Sequence, residues 1–193
     1  MVVGLTGGTG TGKTSVSKIF ENAGFEVINY DLVTRQIYTK GSDCLNEVVS
    51  AFGEGILDFR GELDRRKLGE VVFSDANSLD ILNKIVYKYI VSLTADKIEA
   101  SKTGKLLLDA PTLFESGLNR KCDCIVGVIA KKELRISRVI ARDGLSSARV
   151  EERIASQKSD GFYRANCDFI IENNNGIDEL EAKVKEILEK IED

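Results

Sequence analysis

The sequence predicts an α/β fold built on a parallel sheet, and three observations predict it. The apolar, β-branched run Val2-Val3-Gly4-Leu5-Thr6 leads into a glycine-rich turn, then into a helix face on which Val16, Ile19, Phe20 and Ala23 recur at i, i+3, i+4, i+7. Gly24 stops that helix and Phe25–Asn29 reads as a second strand, so the chain opens strand, loop, helix, strand. Within Cys124–Ile129 the unbroken run Ile125-Val126-Gly127-Val128-Ile129 suits a strand buried on both faces.

The remaining elements follow in the same way. Strands are expected at Lys105–Asp109 and Asp168–Glu172, and Leu180, Val184, Ile187, Leu188 and Ile191 mark a final helix. Between Asp31 and Lys105 the pattern is mainly helical. Leu45, Val48, Val49 and Phe52 make a short face; Leu82, Ile85, Val86, Tyr89, Ile90 and Leu93 make a longer one. Residues 32–104 therefore read as a helical insertion beside the sheet, placed to hold an acceptor substrate, within a single domain spanning 1–193. Residues 131–166 carry nine basic side chains against five acidic ones, a surplus of four in a chain whose net charge is −4. That segment reads as a lid.

Composition narrows the chemistry. Apolar residues make up 42% and charged residues 30% of 193, enough for a core and ordinary for a soluble protein. The mildly acidic balance gives no sign of a nucleic-acid partner. No stretch reaches the roughly 18 apolar residues a membrane helix requires, and the N-terminus lacks a signal peptide's pattern, so the cytoplasm is the expected compartment. Cys44, Cys122, Cys124 and Cys167 include no C-x-x-C pair and read as reduced thiols. Histidine is absent, which leaves a carboxylate, or less readily a lysine, as any general base.

The chemistry is carried by Gly7-Gly8-Thr9-Gly10-Thr11-Gly12-Lys13-Thr14, a match to G-x-x-x-x-G-K-[ST] between a strand and a helix. Its glycines let the backbone of Gly8, Thr9, Gly10, Thr11 and Gly12 approach the phosphates of a nucleoside triphosphate. The helix start adds a positive dipole end. Lys13 supplies a mobile cation for the β and γ phosphates, and the Thr14 hydroxyl suits Mg²⁺. Asp31 directly follows the second strand, where ligands bind in open parallel sheets, and a carboxylate there suits deprotonation of an acceptor hydroxyl. A helix N-cap or an outer magnesium ligand would also account for it. Asp109 ends an apolar strand, the arrangement that holds Mg²⁺ or its waters, though a turn aspartate before Pro111 fits too. Arg138 and Arg142 share a helix face four apart, suited to a transferring phosphoryl group or to a solvated charged helix.

Taken together, the residues resemble the dephospho-CoA kinase family over roughly Val2 to Gly176. Gly4 to Thr14 is similar to that family's opening, and Asp31 matches the second acid of its D-x-D segment. Phe52-Gly53, Gly61-Glu62-Leu63-Asp64-Arg65, Leu68 and Val72-Phe73 track its helical acceptor region. Asp109-Ala110-Pro111-Thr112-Leu113-Phe114-Glu115 resembles its D-x-P-L-L-F-E segment, Arg138 and Arg142-Asp143 its lid arginines, with Arg153 and Gln157 continuing the lid. Asp168 to Asn173 resembles the strand near the adenine.

The resemblance implies a P-loop NTPase three-layer fold with a five-stranded parallel sheet, a helical acceptor-binding region and a lid. It implies ATP-dependent phosphorylation of the 3′-hydroxyl of dephospho-CoA, the last step of coenzyme A synthesis. Asp31 is implied to be the base, with Lys13, Arg138 and Arg142 stabilising the transition state. Arg65, Asp109 and Phe114 are implied to lie on the acceptor side, Asn173 near the nucleotide, and Thr14 and Asp109 at Mg²⁺. Four positions depart from the family pattern: Asn29 replaces the first D-x-D acid, Tyr87-Lys88 a usual His-Pro, Arg135 a common glutamine, and Cys167 an alanine. Three other readings stay open on the sequence alone: another small-metabolite P-loop kinase, a nucleotide-operated switch, and a catalytically degenerate homologue that binds CoA-like ligands.

Overall fold

A computed structural model of the chain describes residues 1–192. In chain order the elements are β1 (Val2–Gly7), α1 (Lys13–Asn22), β2 (Glu26–Asn29), α2 (Tyr30–Ile37), α3 (Asp43–Phe52), α4 (Arg65–Phe73), α5 (Ala76–Ala100), β3 (Leu106–Asp109), β4 (Cys124–Ile129), α6 (Lys132–Asp143), α7 (Ser147–Ala155), α8 (Asp160–Asn166), β5 (Phe169–Glu172) and α9 (Ile177–Glu192). The strands form one five-stranded parallel sheet in the order β2-β3-β1-β4-β5. All expected strands are present. The first residues of three of them, Phe25, Lys105 and Asp168, lie just outside the ladder. Residues 131–166, read from the sequence as one helical segment, form three helices, because Gly144 (φ 66°) ends α6 in the left-handed region and Ser159 caps α8.

The chain divides into two compact units. The first comprises residues 1–28, 101–113 and the chain from 119 onward. Its sheet alternates faces as a strand must. Val3 and Leu5 of β1, Val126 and Val128 of β4, and Leu107 of β3 pack with Val16 and Phe20 of α1 and Leu180, Val184 and Ile187 of α9. Burying each such large apolar side chain stabilises the fold by about 1.5–3 kcal/mol. On the other face Gly4 lies under Leu113 and Cys122, and Gly127 under Cys167. These glycines are fitted to the side chains above them: a Cβ on either would stand 2.8 Å from a cysteine sulfur. The Cys167 departure thus fills space that Gly127 leaves open.

The second unit comprises residues 29–100 and 114–118. Here α2, α3 and α4 pack on the long α5, burying Val33, Ile37, Leu45, Val48, Leu68, Val72, Ile85, Val86 and Ile90. Polar residues start its helices: Asn29 caps α2, Ser42 caps α3 and Asp64 caps α4, each accepting from backbone N–H groups of the first turn. Among the described residues no helix is long and apolar enough to cross a membrane.

Candidate active site

In the first unit, β1 runs into the P-loop and α1 begins at Lys13. The first N–H groups of any helix have no partner within it, so the start of α1 is built to receive an anion. Gly12 adopts φ +92°, and a Cβ there would stand 2.1 Å from Asn173 Nδ2, so both backbone and space demand glycine. Gly8 is constrained by close approach alone: a Cβ would lie 2.4 Å from Arg135 Nη2.

Three consecutive carbonyls of the loop are held from outside it. Thr9 O accepts from Arg135 Nε at 2.9 Å, Gly10 O from Arg138 Nη1 at 3.4 Å, and Thr11 O from Asn173 Nδ2 at 2.8 Å. The Thr9 N–H donates to Gln157 Oε1 at 2.9 Å, and Gln157 Oε1 also accepts from Arg135 Nη2 at 3.2 Å. Within the loop, Thr11 Oγ1 donates to Gly8 O at 2.9 Å. Arg138 Nη1 further donates to Asn173 O at 3.1 Å, and Asn173 N–H to Ile129 O at 2.9 Å, which ties the end of β5 to the end of β4.

Lys13 Nζ is ion-paired with the Asp109 carboxylate. Asp109 ends β3 opposite Leu5 of β1 and is 4% exposed, so the lysine charge balances a buried carboxylate. The Thr14 hydroxyl lies on the first turn of α1, on an exposed residue. A hydroxyl and a carboxylate are hard oxygen donors that fit Mg²⁺. That ion needs only one or two protein ligands beside waters and substrate phosphates. Among the described residues no group of three or more acidic or thiol side chains forms a closed metal cage.

Arg138 and Arg142, expected to act together from one face of a helix, meet different partners. Arg138 lies on the P-loop side, whereas Arg142 is held by its neighbour Asp143 through Nε and Nη2 at 2.6 and 2.8 Å. Arg153 approaches the same carboxylate at 3.5 Å. Adjacent residues on α6 satisfy each other here, and spacing along a helix does not reveal such a pair. Arg135, which stood out in the sequence only as a departure, is the buried arginine of α6, 5% exposed. Burial lowers its pKa, and Asp160 at 3.8 Å opposes that shift. Its position three residues before Arg138 was the available signal. For Gln157 no feature of its own sequence neighbourhood points to Thr9.

Asp31, Arg65 and Phe114 belong to the second unit. Asp31 is exposed in the first turn of α2, and its N–H donates to Asn29 Oδ1 at 2.9 Å. Asn29 Oδ1 also accepts from Leu32 N at 3.2 Å, so the asparagine at the first D-x-D position caps the helix that carries Asp31. Arg65 is the first residue of α4, with its guanidinium 6.0 Å from the centre of the Tyr38 ring. Phe114 lies in the turn-rich segment after β3 and is half-buried. At the Tyr87-Lys88 departure, Lys88 Nζ and the following Tyr89 hydroxyl both donate to Glu47 Oε2, at 2.9 and 2.7 Å. Tyr87 is half-buried, and burial pushes its phenol up to about 12.

A family model described as dephospho-CoA kinase matches residues 1–179. A dephospho-CoA kinase of Fusobacterium nucleatum subsp. nucleatum is 38% identical over 192 residues, covering 99% of this chain and 98% of that protein. One from Arabidopsis thaliana is 37% identical over 193 residues, covering 98% of this chain and 83% of its own length. The solved dephospho-CoA kinase from Campylobacter jejuni superposes with a TM-score of 0.73 at 25% identity, covering 98% of this chain and 96% of its own.

Proposed function

The chain belongs to the dephospho-CoA kinase family, and on that premise we propose which of its residues carry the transfer of a phosphoryl group from ATP to dephospho-CoA. The observation that carries the reading is the P-loop cradle, with its carbonyls turned outward onto Arg135, Arg138 and Asn173 and its lysine at the end of the neighbouring strand. With those carbonyls engaged and the Thr9 N–H held by Gln157, the N–H groups left for a chain of phosphates are those toward the end of the loop and at the start of α1.

In this reading Gly8 to Thr14 bind the β and γ phosphates and Lys13 leaves Asp109 to follow the transferring group. Transfer to an alcohol through a loose transition state is governed by positioning and charge. Arg138 supplies positive charge beside the loop. Arg142 contributes once it releases Asp143, an exchange that its exposed pair permits. Asp31 takes the proton of the acceptor's 3′-hydroxyl; with no histidine in the chain, a carboxylate is the natural base. Arg65 meets the acceptor's phosphates, and Phe114 its apolar part. Thr14 and Asp109 would hold Mg²⁺, which would neutralise charge on the phosphate oxygens. The proposed compartment is the cytoplasm, which four cysteines outside any disulfide suit.

The test is ADP release from Mg-ATP with and without dephospho-CoA. Acceptor-dependent ADP with coenzyme A as product is expected. ADP at equal rates without the acceptor, or with unrelated alcohols in its place, overturns the assignment.

A further inference from the structure

Thr9 is gripped on both its backbone groups by one pair of side chains. Its carbonyl accepts from Arg135 Nε and its N–H donates to Gln157 Oε1, both at 2.9 Å, while Gln157 Oε1 also accepts from Arg135 Nη2 at 3.2 Å. The three groups close a ring. Arg135 comes from α6, and Gln157 follows the end of α7. The guanidinium is buried, and the absence of a Cβ on Gly8 makes room for it. Its remaining nitrogen, Nη1, faces Asp160 at 3.8 Å.

We propose that Arg135 and Gln157 form a clamp that fixes the Thr9 peptide and so sets the P-loop for the phosphates of ATP, making both of them positioning residues for nucleotide binding. The inference rests on the kinase reading above and adds to it two residues of the segment after β4.

The physical case has three parts. A hydrogen bond from a guanidinium to a carbonyl is stronger than a neutral one. It polarises the peptide, which strengthens the N–H donors further along the loop. An arginine gives the clamp a planar fork that reaches the Thr9 carbonyl and Gln157 Oε1 together, which a lysine cannot do. The clamp holds the loop in the same shape before and during transfer, so its contribution belongs to binding and not to the chemical step.

The closing experiment is calorimetric titration with ATP, without acceptor, of the wild type and of Arg135→Ala, Arg135→Gln, Gln157→Ala and the double alanine variant. Thermal melts establish that each is folded, and NMR titration with adenosine reports the base site separately. We expect ATP affinity to fall about tenfold in either alanine variant, since each removes one of the two side-chain hydrogen bonds that hold the Thr9 backbone and the bond between Arg135 and Gln157. The double variant should lose little more, because the two act as one unit. Arg135→Gln should recover part of the loss, since an amide still donates to the Thr9 carbonyl. Adenosine affinity should stay within about twofold throughout, and steady-state assays should show a raised KM for ATP with kcat nearly unchanged, the pattern of lost uniform binding. Additive losses, parallel loss of adenosine binding, or ATP affinity unchanged in the alanine variants each overturn the clamp. Because the titration omits the acceptor, a wild type that bound ATP and failed to phosphorylate dephospho-CoA would count against the kinase reading alone.

Discussion

Asn173 donates from Nδ2 to the Thr11 carbonyl at 2.8 Å, joining the end of β5 to the P-loop across 162 positions of sequence. The bond is buried, and the same amide occupies the space where a side chain on Gly12 would begin. Asn173→Ala strands the carbonyl and is expected to cost about 1–3 kcal/mol, together with weaker ATP binding. Gly12→Ala is expected to cost more, because strained backbone adds to the clash. The double variant removes the clash and keeps the backbone strain, so it should be destabilised by less than the sum of the singles. Melting curves of the three variants decide this; strict additivity would show that Asn173 and residue 12 do not compete for space.

Asp31→Asn is expected to lower kcat by about 10²–10⁴-fold, the usual contribution of a positioned base, with ATP affinity unchanged. The amide keeps the shape of the side chain and the cap from Asn29 to the Asp31 N–H, so α2 stays folded. Single-turnover kinetics alongside nucleotide titration separate the two quantities. Activity retained within a few-fold would move the base elsewhere, and no histidine is available to take the role.

The sheet was legible in the sequence because each strand is either an apolar run or adjoins a glycine stop, and the P-loop was legible because phosphate binding constrains successive residues of one segment. What escaped was set by residues far apart in the chain. Gln157 meets Thr9 across 148 positions, and no periodicity marks it. The departures read from the sequence have local reasons that only packing reveals. Asn29 caps a helix, Cys167 covers Gly127, Lys88 pairs with Glu47, and Arg135 grips the loop. Arg142 shows the opposite limit: its helical spacing from Arg138 is real, yet the neighbouring Asp143 takes its guanidinium.

Chelation of divalent metal is expected to abolish transfer, and Thr14→Ala to raise the Mg²⁺ concentration needed for half-maximal rate. Thr14→Ser should behave nearly as wild type, because it keeps the hydroxyl proposed to ligate the ion. Initial rates measured against free Mg²⁺ at fixed ATP give the comparison. An alanine variant with the same Mg²⁺ dependence as wild type would remove Thr14 from the metal's ligands.

Glu47 joins α3 to α5 by accepting from the Tyr89 hydroxyl and from Lys88 Nζ. The Tyr89 hydrogen bond first, and Lys88 second, hold its carboxyl below the ordinary glutamate range. A carboxylate whose pKa is lower in the folded chain adds stability above its unfolded value, about 4.3. That stability is lost as pH falls through the folded value. Glu47→Gln should therefore melt below the wild type at pH 7, and the gap should close on acidification past the ordinary glutamate pKa. The reverse limb belongs to Lys88, whose pKa is raised chiefly by its hydrogen bond to Glu47. Its contribution is complete below the unfolded lysine value and fades as pH rises through the folded one, so the gap should narrow in strong alkali as well. Melting temperatures of the two proteins across the pH range test both limbs, and a gap independent of pH would show that the ionised pair does not hold α3 to α5.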